Sequence, residues 1–313
     1  MSSLGNLFTT DFVFAILRVT TPILFASLAA IICTRAGVVN IALEGTMLMA
    51  ALFGVIGSGW SNSLLVGLLA AIVGGMLMSA LMAYFALYLN TDIILTGIAI
   101  NLLTAGGTVF MLYVASGDKG SSVNIQSLVF PKVDIPFIKE IPVLGNILSG
   151  HNVLTYVAFL LVAAVYIFLF KTPMGLRLRC VGENPNAADS VGIPVRKVQV
   201  MGLLIGGAIA SLGGAYMSMG YLSSFSKNMI SGRGFIALAA EAMGQSSPVA
   251  TMFSSLLFGA AEASSYTLQS LAIPAEFVQM IPYAATILGL IIYAQARKGS
   301  KKKKLQKTGG KNE

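Results

Sequence analysis

The sequence predicts an all-α polytopic membrane protein. Of its 313 residues, 56% are hydrophobic and only 10% are charged, and the mean hydropathy is +0.82. Apolar runs of about 20 residues recur along the chain, and each is long enough to cross the hydrocarbon core of a bilayer. A water-soluble globular protein is therefore excluded. The first run lacks the charged start and the cleavage site of a secretory signal, so we expect it to be retained as a span.

We expect eight long apolar segments and one short one, about eight or nine transmembrane segments in all. The long segments are 12–33, 36–57, 63–89, 92–116, 152–170, 198–220, 248–268 and 276–296. The short segment, 234–244, is too short to cross unaided, and the polar residues and Pro248 that follow it break a helix. It is predicted to be half of a broken or re-entrant helix, which is tolerated only where protein or a cavity surrounds it.

Polar residues stand inside several apolar segments. An unpaired polar group in hydrocarbon costs several kcal/mol, so such residues should face the protein interior or a water-filled path. Asn40 and Glu44 are four residues apart, which predicts one helical face. The candidate residues of a translocation pathway are Asn40, Glu44, Asn101 and Gln245. Each of them could instead make a hydrogen bond that only caps or cross-links helices.

The distribution of lysine and arginine predicts the orientation. Basic residues concentrate in the connection 171–197 and in the tail 297–313, which are both expected in the cytosol. The loop 117–150 has balanced charges and the first seventeen residues have no basic residue, so both are expected outside. The N-terminus is then outside and the C-terminus inside. The disordered basic tail should anchor the topology and meet anionic lipid, and it does not indicate nucleic-acid binding.

Two further features have alternative interpretations. Arg18 lies two turns inside the first segment, where it could snorkel to the outer face or line a pathway. Four glycine pairs, which permit close helix approach, are interpreted as packing faces, with gating as the alternative. They are Gly74–Gly75, Gly106–Gly107, Gly206–Gly207 and Gly213–Gly214.

The cytosolic connection contains a signal for a short helix. Asn184 can cap it, Pro185 fits its first turn and Gly192 suits the left-handed position just past its end. This could be an ordinary loop helix. A rigid contact with a soluble partner would need the same construction.

Three motifs together resemble a known family. They are GVVNIALEG in the second segment, GLRLRCVGENPNAADSVGIPVRKV in the cytosolic connection, and SGRGFIALAAEAMG followed by LLFGAAEA near the end. The chain is similar over residues 12–296 to the permeases of bacterial ABC importers for branched-chain amino acids and simple sugars, especially to those of nucleoside type.

The resemblance implies a permease subunit of the bacterial plasma membrane, with 1–296 as one transmembrane domain. Its expected partners are a cytosolic ABC ATPase, a second homologous permease and an extracytoplasmic substrate-binding lipoprotein. The helix that couples to the ATPase would comprise Gly182, Glu183, Asn184, Ala187, Ala188, Gly192 and Ile193. The chain departs from the family pattern after GFIALAA, where Glu241 replaces an apolar residue. We expect Glu241 to act as a local cap or hydrogen-bond partner.

The motifs that are missing narrow the function. The sequence has no G-x-x-x-x-G-K-[ST], so energy for transport must come from another chain or from an ion gradient. In the second case an ion-coupled carrier would use Glu44, Glu241 or Glu262. An intramembrane hydrolase has no support, because the sequence has no G-x-S-x-G and its one histidine, His151, is expected to be solvated.

Cys33 and Cys180 are expected on the reducing side of the membrane without a disulfide, and no metal or cofactor is predicted. The polar residues suit a neutral solute such as a nucleoside or, next, a sugar.

Overall fold

The computed structural model describes residues 10–125, 127–134 and 144–269, together with the single positions 284, 287, 289 and 291. The expected span 276–296 lies outside these residues apart from those four positions, and the tail 297–313 lies outside them entirely. Their expected structure stays a prediction.

Helices dominate the described residues. In chain order they are α1 Thr10–Arg35, α2 Leu43–Ser61, α3 Leu64–Ala83, α4 Ile93–Ser116, α5 Leu144–Leu148, α6 Val153–Lys171, α7 Pro173–Glu183, α8 Pro185–Ser190, α9 Val195–Tyr216, α10 Arg233–Met243 and α11 Pro248–Gln269. Short π-helical turns, Tyr84–Tyr88 and Met217–Tyr221, continue α3 and α9. Strands β1, Lys132–Val133, and β2, His151–Asn152, form an antiparallel pair.

Six of these helices are long and apolar enough to cross a membrane, within the part of the chain that the structure describes. They are α1, α2, α3, α4, α6 and α9, where α3 and α9 are counted together with the π-helical turns that continue them. The short segment predicted at 234–244 is the eleven-residue helix α10, and the segment predicted at 248–268 is α11. The total of eight or nine spans and the orientation of the ends remain predictions.

Helix α1 forms the centre of the bundle. Fifteen consecutive residues, from Val19 to Cys33, are buried on every side of the helix. Protein covers this helix, because α6, α9, α10 and α11 all pack against it. Helices α2, α3 and α4 form the neighbouring layer, in which α2 lies against α3, α4 and α9.

Three of the four glycine pairs are packing faces, as predicted. A Cβ added at Gly74 would meet the Phe53 ring at 2.8 Å, and one added at Gly213 would meet Met47 at 3.0 Å. The pair Gly206–Gly207 similarly lies against α1 and α3. The interpretation is wrong within this chain for Gly106–Gly107, because a Cβ at either glycine has no neighbour within 4 Å.

The start of the second apolar segment is not helical, which corrects the predicted boundary. Gly37 is left-handed with φ +81°, and the Asn40 Oδ1 accepts a hydrogen bond from the Ala42 N–H at 3.0 Å, closing a local turn that competes with the helix. Helix α2 therefore begins only at Leu43. Asn40 and Glu44 consequently do not share a helical face.

His151 is buried, so the prediction of a solvated side chain is wrong. Its ring stacks on Phe14 at 3.9 Å between centroids, and its Nε2 lies 2.8 Å from the Ile147 carbonyl oxygen. Burial lowers the pKa of His151, the hydrogen bond with Ile147 opposes this, and the positive charge of Arg18 lowers the pKa further. Strand β2 therefore closes the loop over the end of α1 with a neutral imidazole.

Gly214→Val should destabilise the bundle, because its side chain would collide with the Met47 carbonyl and with the Ala50 Cβ, 3.0 Å from a Cβ at this site. Overpacking of this kind costs about 1–3 kcal/mol. The matched control is Gly106→Val, which enters open space and should change stability by less than about 0.5 kcal/mol. Thermal unfolding of the purified permease in detergent tests both. Equal melting temperatures for the two variants would contradict this packing.

Acid should weaken the contact made by His151. Because its pKa is lower in the folded state than in the unfolded one, the unfolded state binds more protons below the ordinary pKa of about 6.5. The stabilising contribution is complete above that pH and is lost as the pH falls below it. His151→Phe keeps a flat ring against Phe14 and removes the titration. The melting temperature should fall more between pH 7.5 and pH 5 in the wild type than in this variant. Equal decreases in the two proteins would refute the assignment.

Candidate functional site

The carboxylate of Glu44 caps the N-terminus of α10. Its Oε1 accepts the Gly232 N–H at 2.7 Å and its Oε2 accepts the Gly234 N–H at 2.8 Å. The backbone N–H groups at a helix start need acceptors, and a carboxylate also matches the positive end of the helix dipole. Gly232 is left-handed with φ +84°, and a Cβ at Gly234 would lie 2.6 Å from the Glu44 nitrogen. The glycines of the SGRG motif therefore let the two helices meet.

Asn101 on α4 likewise caps the N-terminus of α2. Its Oδ1 accepts the Gly45 N–H at 2.8 Å, and its Nδ2 donates to the Ile41 carbonyl at 2.9 Å. The residue before α2, Ala42, has no side chain that could cap the helix. Asn101 therefore supplies the cap from a neighbouring helix.

A buried ion pair joins α10 to α11. Arg233 and Glu262 are 7% and 6% exposed, and the Arg233 Nη2 donates to the Glu262 Oε1. Tyr266 completes the group, because its hydroxyl accepts from Arg233 at 2.7 Å and donates to Glu262 at 2.9 Å. Sequence reasoning did not select Arg233. The sequence contained a signal for its importance, because Arg233 is a basic residue directly before an apolar segment, 234–244, that also contains a carboxylate.

The opposite end of α10 is fixed by a second polar group. Arg35 donates to the carbonyl oxygens of Gln245 and Ser246, which both have positive φ. The Ser246 hydroxyl donates to the Glu241 Oε1. Glu241 is therefore a local hydrogen-bond partner, as predicted.

The four candidate pathway residues are divided between two places. Asn40, Glu44 and Asn101 surround the start of α2, whereas Gln245 lies in the exposed turn after α10. The eleven-residue helix α10, about 16 Å long, separates Gln245 from the Glu44 carboxylate at its other end. The side-chain Nδ2 of buried Asn40 has no hydrogen-bond partner in the described part of the protein. These contacts position helices, and a role in translocation remains a prediction.

The connection 171–197 folds as its sequence predicts. The Asn184 Oδ1 accepts the Ala187 N–H at 3.1 Å, Pro185 occupies the first turn of α8, and Gly192 is left-handed with φ +81°. Helix α7 precedes α8 and begins at a Thr172 cap that accepts from Gly175 at 3.1 Å. The short helix is therefore held at both ends.

The residues predicted to couple to an ATPase divide into two groups. Glu183, Asn184, Ala187 and Gly192 are exposed, and Ile193 is half-buried. Ala188 is buried in the core, and Gly182 packs so closely that its Cβ would lie 3.0 Å from the Gly37 nitrogen. One side of α8 thus anchors the helix while the other faces solvent. An open groove of about 630 Å³ lies beside it, bordered by Tyr88, Asn186, Asp189 and Arg196 among others.

Metal chemistry has no site among the described residues, where no group of three His, Cys, Asp or Glu side chains could hold an ion. Cys33 is buried and Cys180 is exposed, and both are free.

The buried α1, the interrupted start of α2 and the half-length α10 define a helical transport protein of the membrane. Its fold is that of ABC transporter permeases. An inward-facing structure of a putative metal-chelate type ABC transporter has a TM-score of 0.51 and 18% identity, and the alignment covers 94% of this chain and 90% of that chain. PsaBC from Streptococcus pneumoniae also has a TM-score of 0.51, with 14% identity and coverage of 92% and 94%.

The chain belongs to the family described as branched-chain amino acid transport system / permease component, whose model matches residues 12–293. It is 37% identical to the guanosine ABC transporter permease NupQ of Bacillus subtilis, over 88% of this chain and 89% of that protein. It is 35% identical, with the same coverage, to the nucleoside permease NupC of Lactococcus lactis. The putative glucose permease TsgC13 of Haloferax volcanii is 31% identical over 83% of this chain and 78% of its own length.

This chain is therefore a multi-pass protein of the bacterial plasma membrane and the permease component of an ABC transporter. The family predicted from the three motifs is confirmed.

Glu44→Gln should loosen the start of α10, because an amide can accept one backbone N–H but presents its own N–H groups to the other. A buried donor left without an acceptor costs about 1–3 kcal/mol. We expect a lower melting temperature and faster hydrogen exchange at Gly232 and Gly234. The control Glu183→Gln changes an exposed carboxylate and should alter neither. Unchanged exchange at the two glycines would show that the cap is dispensable.

Proposed function

We propose that this chain is the membrane-spanning permease subunit of an ATP-driven importer for nucleosides, with simple sugars as the next candidate. The observation that carries this proposal is α8, a rigid helix exposed on one side and anchored in the bundle on the other. A mechanical contact with a soluble motor protein requires such an element, since rigid-body motion is transmitted only through parts that do not deform.

The assignment of a nucleoside rests on the relatives. NupQ and NupC are named for guanosine and nucleoside, and TsgC13, named for glucose, is less similar. The surroundings of the start of α2 fit a neutral solute, because the Asn101 amide and the Glu44 carboxylate are already engaged by protein. The solute would be delivered by an extracytoplasmic binding lipoprotein.

A second permease subunit would complete the pathway. Bacillus subtilis has another guanosine permease, NupP, that is 24% identical to this chain, which supports pairing of two different permeases. The outer face of α4 is apolar, with Leu102 and Val114 each 70% exposed. A Cβ added at Gly106 or Gly107 on this helix would meet no atom of the described residues within 4 Å. Close approach of another helix would explain these glycines.

The ion-coupled carrier has no support from the contacts of its three candidate carboxylates. Glu44 accepts two backbone N–H groups, Glu241 accepts the Ser246 hydroxyl, and Glu262 is paired with Arg233. Each has a structural partner. ATP hydrolysis would take place in a partner chain, and the orientation with the N-terminus outside places α8 in the cytosol.

Ala187→Arg should separate the permease from its ATPase, because it puts a bulky charge on the exposed side of α8. Ala188 is unsuitable for this test, since arginine at a buried position would displace the helix itself. We expect loss of ATPase co-purification and at least tenfold slower uptake of radiolabelled guanosine at unchanged permease abundance.

The control is Val123→Arg, which is 70% exposed in the loop expected outside and should leave ATPase binding intact. Uptake by the wild type is compared after ATP depletion and after dissipation of ion gradients. Retained uptake and retained ATPase in Ala187→Arg, with sensitivity only to the gradient, would reject the proposal.

A further inference from the structure

Aromatic and charged side chains from four elements meet beside the N-terminus of α10. The Arg18 guanidinium lies 4.9 Å from the centre of the Tyr221 ring, and the Tyr221 side chain lies within electrostatic range of the Arg233 and Tyr266 side chains. Tyr221 is 37% exposed and Tyr266 is 44% exposed. Two tyrosine rings at a surface thus lie next to the buried pair of Arg233 and Glu262.

The buried pair has hydrogen-bonding capacity that the protein does not use. The Arg233 Nε, a donor, and the Glu262 Oε2, an acceptor, are both buried without a hydrogen-bond partner among the described residues. An orphaned donor and acceptor are costly inside a membrane protein. Native structures retain such atoms where they serve a function, and here one of each kind lies in the same ion pair.

Tyr266 forms the boundary between this pair and the surface. Its hydroxyl is bound to both partners, while its ring is partly exposed. Rotation of that ring would bring the unused edge of the pair to the surface beside Tyr221. The backbone at Arg18 is held in place, because its carbonyl oxygen accepts from the Tyr216 hydroxyl at 3.1 Å, and its guanidinium lies over the Tyr221 ring.

We propose that Arg18, Tyr221 and Tyr266, together with the Arg233–Glu262 pair, form a subsite for the nucleobase of a nucleoside. The base stacks on the tyrosine rings, as bases do on aromatic side chains in single-strand binding proteins. Its edge supplies an N–H to the Glu262 Oε2 and an acceptor to the Arg233 Nε. Carboxylates accept from the amino group of cytosine, and arginine donates to the edge of guanine, in protein–nucleic acid complexes. A free sugar lacks a π face, so the subsite favours nucleosides over sugars.

This inference rests on the proposed function, and photolabelling separates the two. The complete permease and ATPase complex, purified without binding protein, is irradiated with 8-azidoguanosine, and labelled peptides are mapped by mass spectrometry. Label is expected at Tyr221 or Tyr266, and excess guanosine but not ribose should remove it. Guanosine uptake in cells is measured in parallel.

Tyr221→Leu should reduce labelling and uptake about tenfold, equal to about 1.4 kcal/mol, whereas Tyr221→Trp keeps a stacking surface and should retain both. The matched control is Tyr166→Leu, which should retain both labelling and uptake. Tyr166 is 42% exposed on α6, outside the subsite and outside the proposed contact face of α4.

The outcomes are distinguishable. A wild type that accumulates glucose but no guanosine overturns both the proposed function and the subsite. Wild-type guanosine uptake that Tyr221→Leu leaves unchanged, with label elsewhere, overturns the subsite alone. Equal losses in the leucine and tryptophan variants, together with reduced abundance, assign Tyr221 a structural role and also overturn the subsite.

Discussion

The hydrogen bonds between the Glu44 carboxylate and the N-terminus of α10 fix the architecture of the interior. A helix that starts inside the bundle leaves its first N–H groups without intrahelical partners, and lipid cannot satisfy them. The residue before α10 is a glycine and the residue before α2 is an alanine, and neither has a side chain that could cap the helix. Asn101 therefore caps α2, and α2 in turn provides the carboxylate that caps α10. The start of α10 thus depends on α2, and the start of α2 depends on α4.

This arrangement links the interior to the connection 171–197. The end of α7 meets the turn after α1 through Gly182 and Gly37, whose backbones touch. The same turn leads directly to α2, and Arg35 at its start also binds the carbonyl oxygens that follow α10. A displacement of α8 would thus reach the two ends of α10 through this backbone contact and then through the side chains of Glu44 and Arg35. Since packed elements move as rigid bodies, the interrupted helices are well placed to respond to a force applied at the surface.

Local signals in the sequence predicted the parts of this structure that depend on a single segment. Apolar runs located the long helices, and the asparagine, proline and glycine around α8 located its ends because caps are formed within a few residues. Asn40 was placed in a helix because periodicity alone cannot show that its side chain closes a turn. The burial of His151 and the role of Arg233 depend on Phe14 and Glu262, which are far away in sequence. The open face at Gly106 could not be predicted for a similar reason: a glycine pair shows that a helix can approach closely, but it does not identify which helix does so.

The state of the carboxylates bears on how transport is driven. An ion-coupled carrier needs an intramembrane acid that can exchange its ion during each cycle. Release of Glu44 from its two backbone partners would leave the start of α10 uncapped, and release of Glu262 would leave Arg233 as an unpaired buried charge. Removing one partner from a buried pair is strongly unfavourable. The acids therefore hold α10 in place, which favours the proposed route by which energy for transport enters through a partner protein at the exposed side of α8.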